Sequence, residues 1–319
     1  MATSKYFGSL FRSLPDMRDK VVAVTGCTSG TGLVLAMVCA EKGATVILLN
    51  RPSERAEAAL QMVQRRASNA ASVTSVPCDL GDFASVSDAA RQLTEAFRDS
   101  GIDVLANNAG IMCMNDVASK DGCDVQMQTN HLSHFLLTSD IFPLLELAAE
   151  KHGEARIVNM SSIARNNANG RLDARYFGKN GGNLGGDVPP GFGGPSLTRY
   201  AQTKLANVAF TYALHGKLTA RGSKVKALVC HPGVCGTSLG ANSDQLGGFG
   251  TSVTAEDGAC GIIKCCCLPG VESGSFYGPV DNRGFSGEAV LMKADRLAPA
   301  SLLMLWEESE RSTGCKFSL

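Results

Sequence analysis

The chain has 319 residues, 44% of them apolar and 19% charged, with 30 basic side chains against 30 acidic ones. That is enough to bury a large core as one α/β domain or two smaller ones, and the zero net charge removes the electrostatic argument for nucleic acid or an anionic membrane, which are bound through clustered Lys and Arg. No apolar run reaches the about 18 residues of a spanning helix and the N-terminus lacks the order of a signal peptide, so a cytoplasmic protein with a small-molecule partner is expected.

In chain order, Tyr6, Phe7, Leu10, Phe11 and Leu14 fall at helical spacing and predict a short amphipathic helix within an N-terminal arm over 1–19. Packing on the body or on a second subunit is the expected use of that face, with contact to a membrane surface as the alternative. From residue 20 short β-branched runs alternate with helical periods, the pattern of βαβ units. Strands are predicted at 21–25, 45–49, 73–77, 102–106, 156–160, 225–230 and 275–277. Helices are predicted at 30–42, 53–67, 85–98, 125–149, 200–219 and 301–311. The fold class is therefore α/β, a doubly wound parallel sheet of about seven strands with helices on both faces, and 20–319 reads as one domain. Two stretches break the rhythm: 163–199, with nine glycines and three prolines, reads as an insertion, and 234–253 as a substrate-side loop beyond a strand end.

The twelve cysteines include no CxxC pair, so reduced, buried thiols are expected. Cys265, Cys266 and Cys267 read as the buried end of a helix opened by the capping box Thr254 to Asp257, in preference to an acylation site. His131 and His134 stand at i, i+3 with no third ligand in view, so helix packing and orientation of the neighbouring Asn130 are the expected uses, and no metal is expected.

Between the first strand and first helix lie Gly26, Thr28, Ser29, Gly30, Thr31 and Gly32. A glycine-rich turn in that position lets the backbone approach a pyrophosphate, whose charge the helix N-terminus favours. The second strand runs into Asn50 and Arg51, where an NAD site normally places a carboxylate against the ribose hydroxyls. Asn50 does not repel a 2′-phosphate and the Arg51 guanidinium binds one, so NADP(H) is the expected cofactor, unless Arg51 is simply a solvated residue. Arg55, one turn on, is placed to assist. Tyr200 and Lys204 share a helix face, and a nearby cation favours an ionised phenol, which makes Tyr200 a candidate acid/base.

Further motifs follow at strand ends: Asn107, Asn108, Ala109 and Gly110; Asn130; Ser161 and Ser162; and His231, Pro232, Gly233 and Thr237. In this order, over about residues 18–280, the set resembles the short-chain dehydrogenase/reductase family. The resemblance implies a single Rossmann-type domain in which Tyr200 exchanges a proton with a carbonyl or alcohol and hydride moves to or from the nicotinamide. It implies that Lys204 holds the nicotinamide ribose and lowers the Tyr200 pKa, that Ser162 binds the substrate oxygen, and that Asn130 supports a water-linked proton relay. Ser161 is left as a strand-end hydroxyl. On the cofactor, Asp79 and Leu80 are assigned to the adenine, Asn107, Asn108, Ala109 and Gly110 to the adenosine side, and Pro232, Gly233 and Thr237 to the carboxamide; a turn-forming Asx is the competing reading of Asp79.

Two departures stand out. Thr31 replaces an aliphatic residue, and Ser162 and Tyr200 lie 38 positions apart where about a dozen is common. Expanded segments here resemble retinol dehydrogenase-like members and light-dependent protochlorophyllide reductase. The expected activity is therefore NADP(H)-dependent interconversion of a carbonyl and an alcohol, with a homo-oligomer as the family habit. Reduction of a carbon-carbon double bond and a non-catalytic NADP(H) sensor are the alternatives. Loop 234–253 has no Lys or Arg, whereas 163–199 has five basic residues against two acidic, so the two give opposite hints about a charged substrate.

Overall fold

The computed structural model describes residues 3–185, 194–235, 253–281 and 284–319. Its sheet has the order β3 (Val73–Pro77), β2 (Thr45–Asn50), β1 (Val21–Thr25), β4 (Val104–Asn107), β5 (Ala155–Met160), β6 (Val225–Cys230), β7 (Phe276–Pro279) and β8 (Ala289–Leu291). Seven strands run parallel, and β8 closes the edge antiparallel to β7. The eighth strand is too short to show an alternation in the sequence. Chain order reverses between β1 and β4, so their carboxyl ends flank the switch point where open α/β sheets bind ligands.

All five residues of β1 are buried, and their alternation feeds two cores. Val21 and Ala23 face one layer; Val22 and Val24 face the other. The second layer holds α1 (Phe7–Ser13), α2 (Gly30–Glu41), α3 (Glu54–Arg66) and α9 (Ala255–Cys267). The first holds α4 (Phe83–Phe97), α6 (Ser133–Asp140), α7 (Phe142–His152), α8 (Pro195–Ala220) and α10 (Pro299–Thr313). Helix starts follow local chemistry: Ser53 Oγ accepts from Ala56 N, Asp82 accepts from Ala84 N, and Pro195 and Pro299 open α8 and α10.

The single helix expected over 125–149 is not continuous. It comprises the short turn α5 (Val125–Met127), a π-helical turn (Gln128–Leu132), α6 and α7, with a 59° bend before α7. Pro143 causes the bend, since its ring has no N–H to give the preceding turn. Gly153, at φ 90°, then ends α7.

In the segment 163–199 the described residues, 163–185 and 194–199, carry regular turns and core side chains. They form 3₁₀ turns at Ile163–Ala168 and Ala174–Tyr176, and Tyr176, Phe177 and Leu184 enter the core. The N-terminal arm packs on the body through Leu10, Leu14 and Met17. Its anchor revises the expected capping box: Thr254 Oγ1 accepts from Asp257 N (3.1 Å), but the Asp257 carboxylate turns away and caps α1. It accepts from Ser4 Oγ (2.7 Å), Lys5 N (2.8 Å), Tyr6 N (2.8 Å) and Phe7 N (3.0 Å). Cys265, Cys266 and Cys267 do form the buried end of α9, and all twelve cysteines are free thiols.

No single helix among the described residues is long and apolar enough to cross a membrane.

Candidate active site

The glycine-rich turn lies against the turn after β4. Gly26 has φ 70°, and a β-carbon there would sit 2.8 Å from Ala109 Cα. A β-carbon on Gly32 would come within 2.3 Å of both Asn108 Nδ2 and Gly26 O. These two glycines therefore serve the protein's own close packing as well as the expected approach of a pyrophosphate. Asn108 fastens the turn: Nδ2 donates to Thr25 O (2.9 Å) and Gly26 O (3.2 Å), and Oδ1 accepts from Thr31 Oγ1 (2.8 Å). The hydroxyl that replaces an aliphatic side chain at 31 is thus a second latch on the same loop. Gly30 takes φ 59° as α2 begins, and the first-turn N–H groups of a helix have no partner within it.

Asn50 is buried at the end of β2, where its Oδ1 accepts from Cys27 N (2.7 Å) while its Nδ2 has no protein partner. An orphaned donor beside the glycine turn fits an oxygen-bearing ligand at that place. Arg51 and Arg55 are exposed. Asp79 makes the Asx turn, accepting from Gly81 N at 2.9 Å, and Leu80 is a core side chain whose carbonyl takes Ser133 Oγ. Both stay at the end of β3. The Asn107 amide points into the body and donates to Asn159 Oδ1 (3.0 Å) and Thr138 Oγ1 (3.1 Å).

Tyr200, Ser162, Lys204, Asn130 and Gly110 come together despite the length of the intervening chain. Tyr200 is 2% exposed, and the Ser162 side chain lies close enough to favour its ionised form. Lys204 Nζ donates to Met160 O (3.1 Å) and lies 5.7 Å from the Tyr200 ring centre. Gly110 fills the gap: a β-carbon there would be 3.1 Å from Lys204 Nζ and 3.2 Å from Asn130 Oδ1. Ser161 is the structural hydroxyl, donating to Lys204 O at 2.8 Å.

Electrostatics correct one expectation. Burial pushes the Tyr200 phenol well above its ordinary value; Ser162 opposes the shift, and Cys113 and Cys235 add to it. Burial also pulls Lys204 down to about 8. At neutral pH the phenol is held in its protonated form, because desolvation outweighs the attraction of a cation one turn away.

Asn130 spends its side chain on structure. Oδ1 accepts from Ile111 N (2.8 Å), and Nδ2 donates to Ile111 O and Thr203 Oγ1, each at 2.9 Å. Only its main-chain carbonyl, in the π turn, is left to face a relay. That carbonyl accepts from His134 Nδ1 (3.1 Å), which fixes Nε2 as the acceptor for Thr25 Oγ1 (2.9 Å). His131 instead meets Ser309 Oγ at 2.8 Å, so the two imidazoles serve different partners. Burial lowers them to about 3 and about 4 respectively, which keeps both neutral.

Sequence reasoning missed Thr25, Thr203 and Arg165 as supports of this site, whereas His134 does contact Asn130 as expected. Only a hydroxyl closing the first strand gave a local signal, for Thr25. Gly233 has φ 73° and packs on Phe285 O, beside Pro232, while Thr237 lies outside the described residues. Cys235, near Tyr200, is raised to about 11 by burial and is no ready nucleophile. Met112, Leu197, Cys113 and Ala164 pack around the phenol.

A family profile described as short chain dehydrogenase matches residues 20–174. Human retinol dehydrogenase 13 is 32% identical over 235 residues, covering 74% of this chain and 65% of its own length. Human polyprenol dehydrogenase is 30% identical over 280 residues, covering 85% of this chain and 79% of its own. Several curated relatives are covered over slightly less than two thirds of their length. The crystal structure of an uncharacterized protein from Mycobacterium paratuberculosis superposes with a TM-score of 0.74 at 30% identity, covering 99% of this chain and 100% of that one. Strand order, the glycine turn locked on Asn108, the Ser162–Tyr200–Lys204 cluster and these similarities together show that the chain belongs to the short-chain dehydrogenase/reductase family of oxidoreductases, with retinol dehydrogenase-like relatives.

Proposed function

We propose that the protein is an NADP(H)-dependent oxidoreductase that interconverts a carbonyl and an alcohol. The observation that carries this reading is the proximity of the Ser162 side chain to the buried Tyr200 phenol, 38 positions away in sequence, with buried Lys204 one turn on. Two hydroxyls that meet can share one substrate oxygen. In that role Ser162 donates a hydrogen bond to the oxygen, and Tyr200 passes its proton to the same atom as negative charge develops there. A phenol held protonated suits the reductive direction. Lys204 places a positive charge behind the phenol, and a water-linked relay past Asn130 would use its main-chain carbonyl, the side chain being spent on Ile111 and Thr203. NADP(H), when bound, supplies or accepts the hydride.

The orphan Asn50 Nδ2 and exposed Arg51 support NADP(H) over NAD(H), since both can meet a 2′-phosphate and neither repels it. The residues packed on Tyr200 are apolar or thiol-bearing, and the basic side chains of 163–199 nearest the site are engaged elsewhere. Arg165 pairs with Asp295 at 2.6 Å and Arg199 with Asp124 at 3.1 Å, both arginines being buried. An uncharged carbonyl compound fits this lining.

The test is NADPH consumption over a panel of aldehydes, ketones, quinones and enones, with NADH and Tyr200→Phe in parallel. Turnover should prefer NADPH and fall by a factor of about 10² or more in Tyr200→Phe, with NADPH binding unchanged. Retained turnover in the variant would remove Tyr200 from the chemistry. Asn50→Asp should move the preference toward NADH, and an unmoved preference would remove Asn50 from the selectivity.

A further inference from the structure

We propose that Arg165, held by Asp295, is a positioning residue for Ser162; the inference rests on the role given to Ser162 above. With 37 residues between Ser162 and Tyr200, the chain itself provides no short covalent tie between the two hydroxyls. The structure provides a non-covalent one.

Ser162 caps the 3₁₀ turn that opens the inserted segment, its Oγ accepting from Ala164 N at 3.2 Å. Its carbonyl is gripped twice by the same residue, by Arg165 N and by Arg165 Nη1, each at 3.2 Å. The other edge of the guanidinium faces Asp295, with Nε to Oδ2 at 2.6 Å and Nη2 to Oδ1 at 3.4 Å. The guanidinium lies 4.5 Å above the Phe276 ring. Asp295 N in turn donates to Tyr212 Oη (3.2 Å), and Tyr212 belongs to α8, the helix that carries Tyr200. The contacts therefore close a ring from the end of β5 through Ser162, Arg165 and Asp295 to α8.

The Arg165 side chain is 5% exposed, so its charge is committed to this arrangement and unavailable to a substrate. A guanidinium reaches a carboxylate and a carbonyl at once because its five donors form a rigid fork, which an ammonium does not. Loss of the fork leaves the pairing with Asp295 possible but removes one of the two donors that hold the Ser162 carbonyl, and a small displacement of a group that binds the reacting oxygen is costly.

The experiment compares wild type, Arg165→Lys, Ser162→Ala and the double variant, with Tyr200→Phe as control, using NADPH with retinaldehyde and with phenanthrenequinone. Arg165→Lys should lower kcat about tenfold, with KM and NADPH affinity by fluorescence changed by less than about twofold. In the Ser162→Ala background the same substitution should lower kcat by less than about twofold, because its effect passes through Ser162. Asp295→Asn should mimic Arg165→Lys and Asp295→Glu restore most of the loss, a second pair should Arg165→Lys fail to fold. A wild-type kcat in Arg165→Lys, or an equal drop in both backgrounds, would overturn the proposal and leave the pair as a fold stabiliser. Activity in Tyr200→Phe, or no wild-type turnover of either probe, would overturn the underlying reading instead.

Discussion

At Thr25 one hydroxyl joins three elements at the switch point. Its Oγ1 accepts from Asn108 N and Ala109 N, both at 3.0 Å, and meets His134 Nε2 at 2.9 Å. Thr25→Val keeps the shape and leaves these buried groups unsatisfied, so it should cost about 2 kcal/mol or more in urea unfolding and weaken NADPH binding; unchanged values for both would show that water replaces the hydroxyl. Lys204 gives a pH signature. Its folded value of about 8 lies below the ordinary 10.5, so it loses its charge in the folded enzyme before it would in the unfolded chain. Two consequences follow from that sign: stability gains from this group as pH rises from about 8 to 10.5, and carbonyl reduction falls as pH rises through about 8. Lys204→Arg, which stays charged, should shift the fall in kcat/KM upward; a fall at the same pH would assign it to another group.

At the scale of elements, one helix end is completed by a residue distant in sequence. Asp257 has burial raising its carboxyl pKa, yet three backbone amides and Ser4 pull it below the ordinary value, so the ionised form caps α1. Asp257→Ala should destabilise by about 1–2 kcal/mol and make the arm sensitive to protease, with kcat unchanged; an arm that stays protected would show that Leu10, Leu14 and Met17 hold it unaided. The buried pair Arg199–Asp124 ties the first turns of α8 to the residue that caps α5. Arg199 also donates to Met114 O (2.9 Å), and Asp124 accepts from Gln126 N and Met127 N, so the loop after β4, α5 and α8 are joined beside Tyr200. The helices were readable from apolar spacing, α5 as the start of a longer helix and α8 from residue 200 onward. These cross-links were not, because an exposed basic residue and a buried paired one look alike in a glycine-rich stretch.

At the scale of the molecule, the C-terminal helix and tail seal the layer that carries the site. Trp306 stacks on Phe317 with ring centres 5.2 Å apart, and both meet Phe135 of α6, which packs on Phe210 of α8. His131 sits within this aromatic group, edge-on to Phe177 and Phe210, which explains an imidazole buried far from any metal chemistry. Phe317→Ala should therefore destabilise by about 3 kcal/mol or more while the folded enzyme keeps its NADPH affinity. An unshifted urea midpoint would show that the tail only covers the surface.

The alternation of strand and helix, the glycine turn after β1 and the Tyr200–Lys204 spacing were readable along the chain, because each depends on neighbours within a turn or a strand end, where steric preference and periodicity act. Asn108 after β4 and Ser162 after β5 were singled out by the family resemblance. Only the tertiary structure decided which glycines the fold itself requires, that Asn107 faces inward while Asn108 locks the turn, and that Asp257 caps α1. It also decided that Arg165 and Arg199 are spent on carboxylates and that burial, more than the lysine, sets the phenol's protonation. Those outcomes depend on which groups are brought together when two layers close on a sheet and every buried polar atom seeks a partner, a condition that joins residues more than a hundred positions apart, such as Arg165 and Asp295.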